Sequence, residues 1–416
     1  LELLGEVLVS KFPIHKRILL LGPTGVDKAT AATRLARYLD GMGHGFLFVD
    51  FENEYLKKDP GVRSWTHFLA QDLELQALTW RRVWDQFKTS LNEDTTILAL
   101  HATYVSGLLG LRCPVHIPSI CDDFKPTLIV SLVDDIYSMW KRTESRAAGR
   151  DDKGRPSFEQ LLTARRAEQT FGDVILTHLP PNTARHVLCA AGNTLTALAN
   201  LIVFDAAITY LSFPISAPRE LATVGKVEFV KLINEAHHLA VGEMKKDHNR
   251  SFISPLAIDE LPMVLKAKEV SEEKEMKFDC ANDRWNLDEL WGDSSLPIVP
   301  PDSEAFSFFT AQIADAQGLM RTDVGWRDRR LVMQSRSLAI VCPKPPEQNR
   351  ITSGVETEIE TAILLGIFCA YWQKPEWDPE DFVGKRYSRT GSMGAGHSQA
   401  FIKRVDSLNK LIEASP

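Results

Sequence analysis

Short, unbroken apolar runs alternate in the first half of the chain with longer stretches whose apolar residues recur every three or four positions. The runs at 17–22, 45–51, 95–101 and 127–133 have the length and flanking residues of strands. Helical periodicity marks 28–41, 66–91, 134–148, 156–171 and 183–199. Strand–helix alternation predicts a parallel sheet with helices on both faces. A second round begins at "AAITYLSFPIS" (206–216), followed by an amphipathic helix near 219–243 and by "FISPLAIDELP" (252–262). Helices near 303–318 and 325–335, a strand at 337–343, a helix at 355–366 and a strand at 367–373 complete it. Within this second round, residues 264–302 run from charged "KAKEVSEEKEMK" to Pro-rich "LPIVPPD" and read as an insertion, either a lid or a solvated loop. The predicted fold is α/β, with two parallel-sheet domains at 1–202 and 203–416.

Length supports that division, because 416 residues exceed one typical core. A net charge of −7 argues against direct nucleic-acid binding. No apolar run approaches the ~20 residues that span a bilayer, so no membrane partner is expected. The opening residues lack the pattern of a signal peptide, and the chain starts on Leu1 rather than Met, as if sequence preceded it. Six cysteines (113, 121, 189, 280, 342, 369) show no CxxC spacing, which predicts reduced thiols and a cytoplasmic location.

Two stretches carry candidate chemistry. In "RILLLGPTGVDKAT" (17–30) an apolar strand enters a Gly-containing turn, then a Lys and a Thr at the start of a helix. Such a loop wraps phosphate in backbone N–H groups at the positive end of the helix. Lysine adds a charge and the hydroxyl helps hold Mg²⁺. Gly22, Gly25, Lys28 and Thr30 are the nucleotide-binding candidates, with ATP and Mg²⁺ the implied cofactors. The loop, with "KATAATRLARYL" after it, resembles that of adenylate-kinase-like P-loop domains. Asp27 stands where such loops carry glycine. A carboxylate ~4 Å from a phosphate costs up to about 4 kcal/mol at an effective dielectric near 20. Three readings follow: a structural remnant, a nucleotide sensor, or a working phosphotransferase.

The second stretch is "SRSLAIVCPKPPEQNRITSGVETEIETAILLGIFCAYWQ" (335–373). A strand ends in a polar loop, and a Ser-Gly pair opens a helix with three glutamates in its first turns. Such glutamates are often only a match to the helix dipole. "GVETEIETA" resembles the G-x-G-x-E-x-G-x-A segment of the nucleoside 2-deoxyribosyltransferase and nucleotide N-glycosidase family. The resemblance implies a Rossmann-like domain, with Glu358 as nucleophile between Gly354 and Ala362. It makes Tyr210, in "ITYLSFPIS", the hydroxyl that orients the nucleophile. Asp328, in "WRDRRLVMQSRSLAIV", would hold the base or sugar. Ser353, Thr352 and Arg219 fall where substrate, including its phosphate, is bound. Glu356 and Glu360 replace the family's flanking glycines, Arg336 stands where an aspartate is common, and a shifted register would make Glu356 the nucleophile.

A carboxylate beside the sugar C1′ stabilises oxocarbenium character or forms a glycosyl-enzyme. Water then yields a hydrolase and a second base a transferase, with no cofactor required for the cleavage. The resemblance further implies a homo-oligomer and, by analogy alone, a nucleotide-depleting effector in antiviral defence, regulated by the P-loop domain. Two rivals remain: a nucleotide kinase with a non-catalytic second domain, and a scaffold with both sites decayed.

Overall fold

The computed structural model describes residues 14–91, 95–106, 110–147, 156–191, 194–214, 227–258, 275–278, 306–344, 350–388 and 402–414. The chain forms two five-stranded sheets, each parallel throughout. The first contains β1 (Arg17–Leu21), β2 (Leu47–Asp50), β3 (Thr96–Ala99), β6 (Leu128–Val133) and β7 (Arg185–Ala190), in the order β2-β3-β1-β6-β7. Between β3 and β6, β4 (Tyr104–Ser106) and β5 (Gly110–Arg112) form a small antiparallel pair. Its helices are α1 (Lys28–Gly41), the short α2 (Phe51–Glu54), α3 (Trp65–Ala70), α4 (Leu73–Lys88), the short α5 (Ile117–Ser119), α6 (Ile136–Ala147) and α7 (Phe158–His178).

The second sheet contains β8 (Ala207–Ser212), β9 (Arg250–Ile253), β12 (Ser337–Val341), β13 (Phe368–Trp372) and β14 (Ile402–Arg404), in the order β14-β13-β12-β8-β9. Strands β10 (Glu275–Phe278) and β11 (Phe306–Phe309) pair antiparallel outside it. Helix α8 (Leu195–Phe204) precedes this sheet. Helices α9 (Val227–Lys246), α10 (Thr310–Met333), α11 (Ser353–Leu364), α12 (Phe382–Ser388) and α13 (Leu408–Ala414) belong to it.

Helix α8 lies between the sheets, packing on α1 from one side and on β9 from the other. Tyr38 of α1 reaches Thr196 at 3.0 Å, and the Asn200 amide donates to the carbonyls of Met244 and Arg250 at 3.0 and 2.9 Å. One apolar cluster accordingly runs from Ile18, Leu132 and Leu188 through Leu198 to Tyr210, Ile340 and Ile359.

Several expected elements differ. The helix expected over 66–91 is two helices, because Asp72 caps α4 through the Leu75 N–H at 2.7 Å and ends α3 just before it. The helix expected over 183–199 is a strand followed by α8. "RHVLCA" extends beside β6, and its periodicity reflects burial on both faces rather than one helical stripe. The outer edge of β7 is occupied by Gln334, whose amide accepts from the Leu188 N–H and donates to the Leu188 carbonyl, both at 2.8 Å. The two helices expected at 303–318 and 325–335 are one helix, α10, preceded by β11. Gly318 and Gly325, at the two ends of the expected gap, ride inside the helix on exposed positions, where glycine costs only about 1 kcal/mol each. Of the stretch 264–302, only β10 falls within the described residues. Among the described residues, no helix is long and apolar enough to cross a membrane.

Candidate active site

Parallel strands deliver their C-terminal ends to one edge, and ligands of open α/β sheets collect there. In the second sheet, β8 ends at this edge and α11 begins there. Side chains two apart on a strand share a face, so Tyr210 and Ser212 of β8 point the same way. The Tyr210 hydroxyl donates to Glu358 Oε1 at 2.8 Å, and Ser212 Oγ donates to Glu358 Oε2 at 2.5 Å. Glu358 is 6% exposed and Tyr210 fully buried. Burial, then the Asp328 charge, pushes the Glu358 carboxyl up to about 8, against the pull of the two hydroxyls and Arg327. Burial and the Glu358 charge together push the Tyr210 phenol well above its usual value, so it remains a donor.

Asp328 and Arg327 lie on α10, which packs against α11. The Arg327 guanidinium donates to Asp328 Oδ1 from Nε and Nη2, at 3.0 and 2.9 Å. Asp328 therefore acts on Glu358 through its field, while Arg327, itself buried, tempers it. Ser212 and Arg327 were not anticipated from sequence. For Ser212 the signal was available, since it stands two residues beyond Tyr210 on a strand.

The remaining sequence candidates spread around the helix start. Thr352 is the N-cap of α11 without a capping side-chain bond, and its buried hydroxyl oxygen has no hydrogen-bond partner among the described residues. Ser353 and Gly354 are exposed, and a Cβ on Gly354 would meet nothing within 4 Å. Glu356 pairs with Arg386 of α12, and Glu360 is exposed. Of the three glutamates, Glu358 alone joins the buried cluster. Arg336 is exposed, and Arg219 lies outside the described residues.

At the C-terminal edge of the first sheet, Lys28 is buried and donates to the Gly22 carbonyl at 2.6 Å. Gly25 is required twice over: its φ is +94°, and a Cβ there would lie 2.7 Å from the Met139 carbonyl oxygen. Asp27 folds back to cap α1, accepting from the Thr30 hydroxyl at 2.7 Å and the Thr30 N–H at 3.5 Å. The loop tolerates its carboxylate because that carboxylate serves the helix, and the Thr30 hydroxyl is engaged in doing so. The Lys28 charge acts on two carboxylates nearby. Glu52 accepts from the Tyr104 hydroxyl at 3.0 Å and from the His101 N–H. Burial opposes its charge, but His101 and Lys28 outweigh burial and hold it below the usual range. Glu168 of α7 accepts from the N–H groups of Ala102 and Thr103 at 3.2 and 2.7 Å, yet burial pushes it up to about 7.

One constellation has the right distances and the wrong place. Ser131 Oγ lies 2.9 Å from His186 Nε2, and His186 Nδ1 lies 2.8 Å from Asp173. Ser131 is fully buried in mid-strand, so no substrate reaches it as a nucleophile. Among the described residues no cluster of His, Cys, Asp and Glu is arranged to hold a metal ion.

No protein-family model matches the chain, and no curated protein matches it. Among solved structures, a gluconokinase from Sinorhizobium meliloti 1021 is similar over 45% of this chain and 89% of its own, at 11% identity and a TM-score of 0.26. An uncharacterized protein from Eubacterium ventriosum ATCC 27560 is similar over 42% and 89%, at 13% identity and a TM-score of 0.20. Likeness that slight carries no argument. The chain is an α/β protein of two parallel sheets.

Proposed function

We propose that the second sheet carries an N-glycosidic cleavage site for a nucleoside or nucleotide, with Glu358 as nucleophile. One observation carries the reading: a buried carboxylate at the C-terminal sheet edge, with each oxygen held by a hydroxyl from the same strand. Held in this way, the carboxylate has little freedom to lose on reaching its reactive geometry. In the reaction, Glu358 Oε bonds to C1′ as the C1′–N bond breaks. The bonding pair leaves with the base, which takes up a proton. Water then attacks C1′, releases the Glu358 carboxylate and completes hydrolysis; a second base in place of water makes the reaction a transfer. Oxocarbenium character at C1′ favours the ionised carboxylate and so counters the burial that raises its proton affinity. In this reading Asp328 of α10 binds sugar or base, and the Thr352 hydroxyl, Ser353 and the α11 N-terminus accept a substrate phosphate.

For the first sheet we propose nucleotide sensing in preference to phosphoryl transfer. The observation favouring this is Asp27, which engages the very hydroxyl, Thr30, that would help hold Mg²⁺. Incubation with a panel of nucleosides, nucleotides and NAD, with free base measured chromatographically, tests the main reading. Release by the wild type and none by Glu358→Gln supports it. Release by neither refutes it, and loss in Glu356→Gln instead moves the nucleophile by two positions.

A further inference from the structure

Helix α10 carries Arg327 and Asp328 beside Glu358 and packs on α7, and one of its links toward the first sheet, besides Arg330 on Asp173 and Gln334 on β7, is made of buried charge. Arg142 of α6 donates from Nη1 to the Gly25 carbonyl in the phosphate loop at 2.9 Å, and to Asp134 Oδ2 at 2.6 Å. The Asp134 backbone carbonyl accepts from Arg165 Nη1 of α7 at 2.7 Å. Arg165, fully buried, donates from Nε to Asp323 Oδ2 of α10 at 3.0 Å and again from Nη2. Asp323 stands four residues before Arg327, one turn along the same face of α10. Arg327 holds Asp328, whose charge acts on Glu358 and Tyr210.

A buried ion pair is weak evidence for stability, because desolvating both charges offsets most of their attraction. Apolar residues would join α7 to α10 at least as firmly. What Arg165 supplies instead is a fixed relation between the loop after β6 and one turn of α10, since its planar fork binds Asp134 and Asp323 together.

We propose that an anion seated on the loop Gly22–Thr30 is coupled to the Glu358 site through Arg142, Asp134, Arg165 and Asp323, with α10 as the moving part. It rests on the nucleotide sensing and glycosidic chemistry proposed above, and adds the route between them. An anion in the loop draws the Arg142 guanidinium toward itself and weakens its hold on Asp134. The Asp134 segment is then free to shift, Arg165 moves with the carbonyl it binds, and Asp323 carries α10. The displacement changes the spacing of Asp328 from Glu358, on which the charge of Glu358 depends.

The test uses the full chain, ATP with and without Mg²⁺, and amide hydrogen exchange resolved by mass spectrometry, a readout independent of turnover. Titration calorimetry first establishes saturation. In the wild type, ATP should change exchange in the peptides covering α10 and α11 about fivefold or more, the lower end of ordinary coupling between sites. Because Asp323→Asn alone strands a buried guanidinium and can unfold the chain, the deciding variant is Arg165→Met with Asp323→Leu, which keeps an apolar contact. There ATP should still protect the loop and α1 but leave α10 and α11 unchanged. No ATP binding in the wild type, no response in α10, or an equal response in the double variant would each overturn the proposal. Base release with and without ATP is measured in parallel. If no substrate is cleaved, the glycosidase reading fails while the exchange data still decide the route.

Discussion

Glu358→Gln should stabilise the protein at high pH and leave it nearly unchanged at low pH. The Glu358 carboxyl rises from the ordinary 4.5 to about 8 because it is buried and faces Asp328. Between those values the unfolded chain has lost a proton that the folded chain keeps, so stability falls as pH rises. The group's contribution is fully present below pH 4.5 and gone above about pH 8. At 1.36 kcal/mol per pH unit, a rise from 4.5 to about 8 corresponds to about 5 kcal/mol, an upper bound. Gln has nearly the shape of the protonated acid and does not titrate, so the variant lacks this slope. With a melting entropy of about 2.1 cal/mol/K per residue over 416 residues, ~5 kcal/mol becomes a Tm difference of about 5 °C. Calorimetric or fluorimetric melting of both proteins from about pH 5 to about pH 8.5 reads it. Glu168 titrates equally in both, so its effect cancels in the difference. A Tm difference that stays flat across that range refutes the reasoning. So does an equal slope for Glu356→Gln, whose carboxylate pairs with Arg386 away from the buried cluster.

Tyr210→Phe should lower base release about ten- to a hundredfold without unfolding, since a hydrogen bond to a charged group contributes about 1.5–3 kcal/mol. Its pH–rate midpoint should also move upward, because one donor to the Glu358 carboxylate is lost. With Glu358 as nucleophile, wild-type base release should climb with pH toward a plateau above about 8; a falling profile would recast Glu358 as a general acid. Asp27→Gly should bind ATP more tightly by calorimetry while melting only slightly lower, since glycine in place of an Asp N-cap costs about a few tenths of a kcal/mol. Equal or weaker ATP binding would show that the Asp27–Thr30 bond already keeps the charge out of the cradle. Gly25→Ala should abolish ATP binding, because the Cβ collides with the Met139 carbonyl and the positive φ is strained.

Much of the sheet framework was legible because its strands are buried on both faces and read as unbroken apolar runs. "LIVSLV" is buried at every position. The same property misled at 185–190, where an apolar run looks alike as strand or helix. The gap expected within α10 is continuous helix, and its exposed glycines, Gly318 and Gly325, are carried inside it. The meeting of Tyr210 with Glu358, 148 residues apart, was legible only through a family pattern. Nothing of that kind marks Arg165 and Asp323, 158 residues apart, because one arginine and one aspartate in charged helices look like solvated surface. Glu52 and Glu168 were hidden for the same reason.

The amide of Gln334 covers one point on the outer edge of β7. A residue on an outer strand turns its N–H and C=O outward together, which is the invitation by which sheets recruit strands from other molecules. At Leu188 one side chain answers both groups, as a neighbouring strand would. At that point on its outer strand the first sheet is closed to strand addition by a single glutamine.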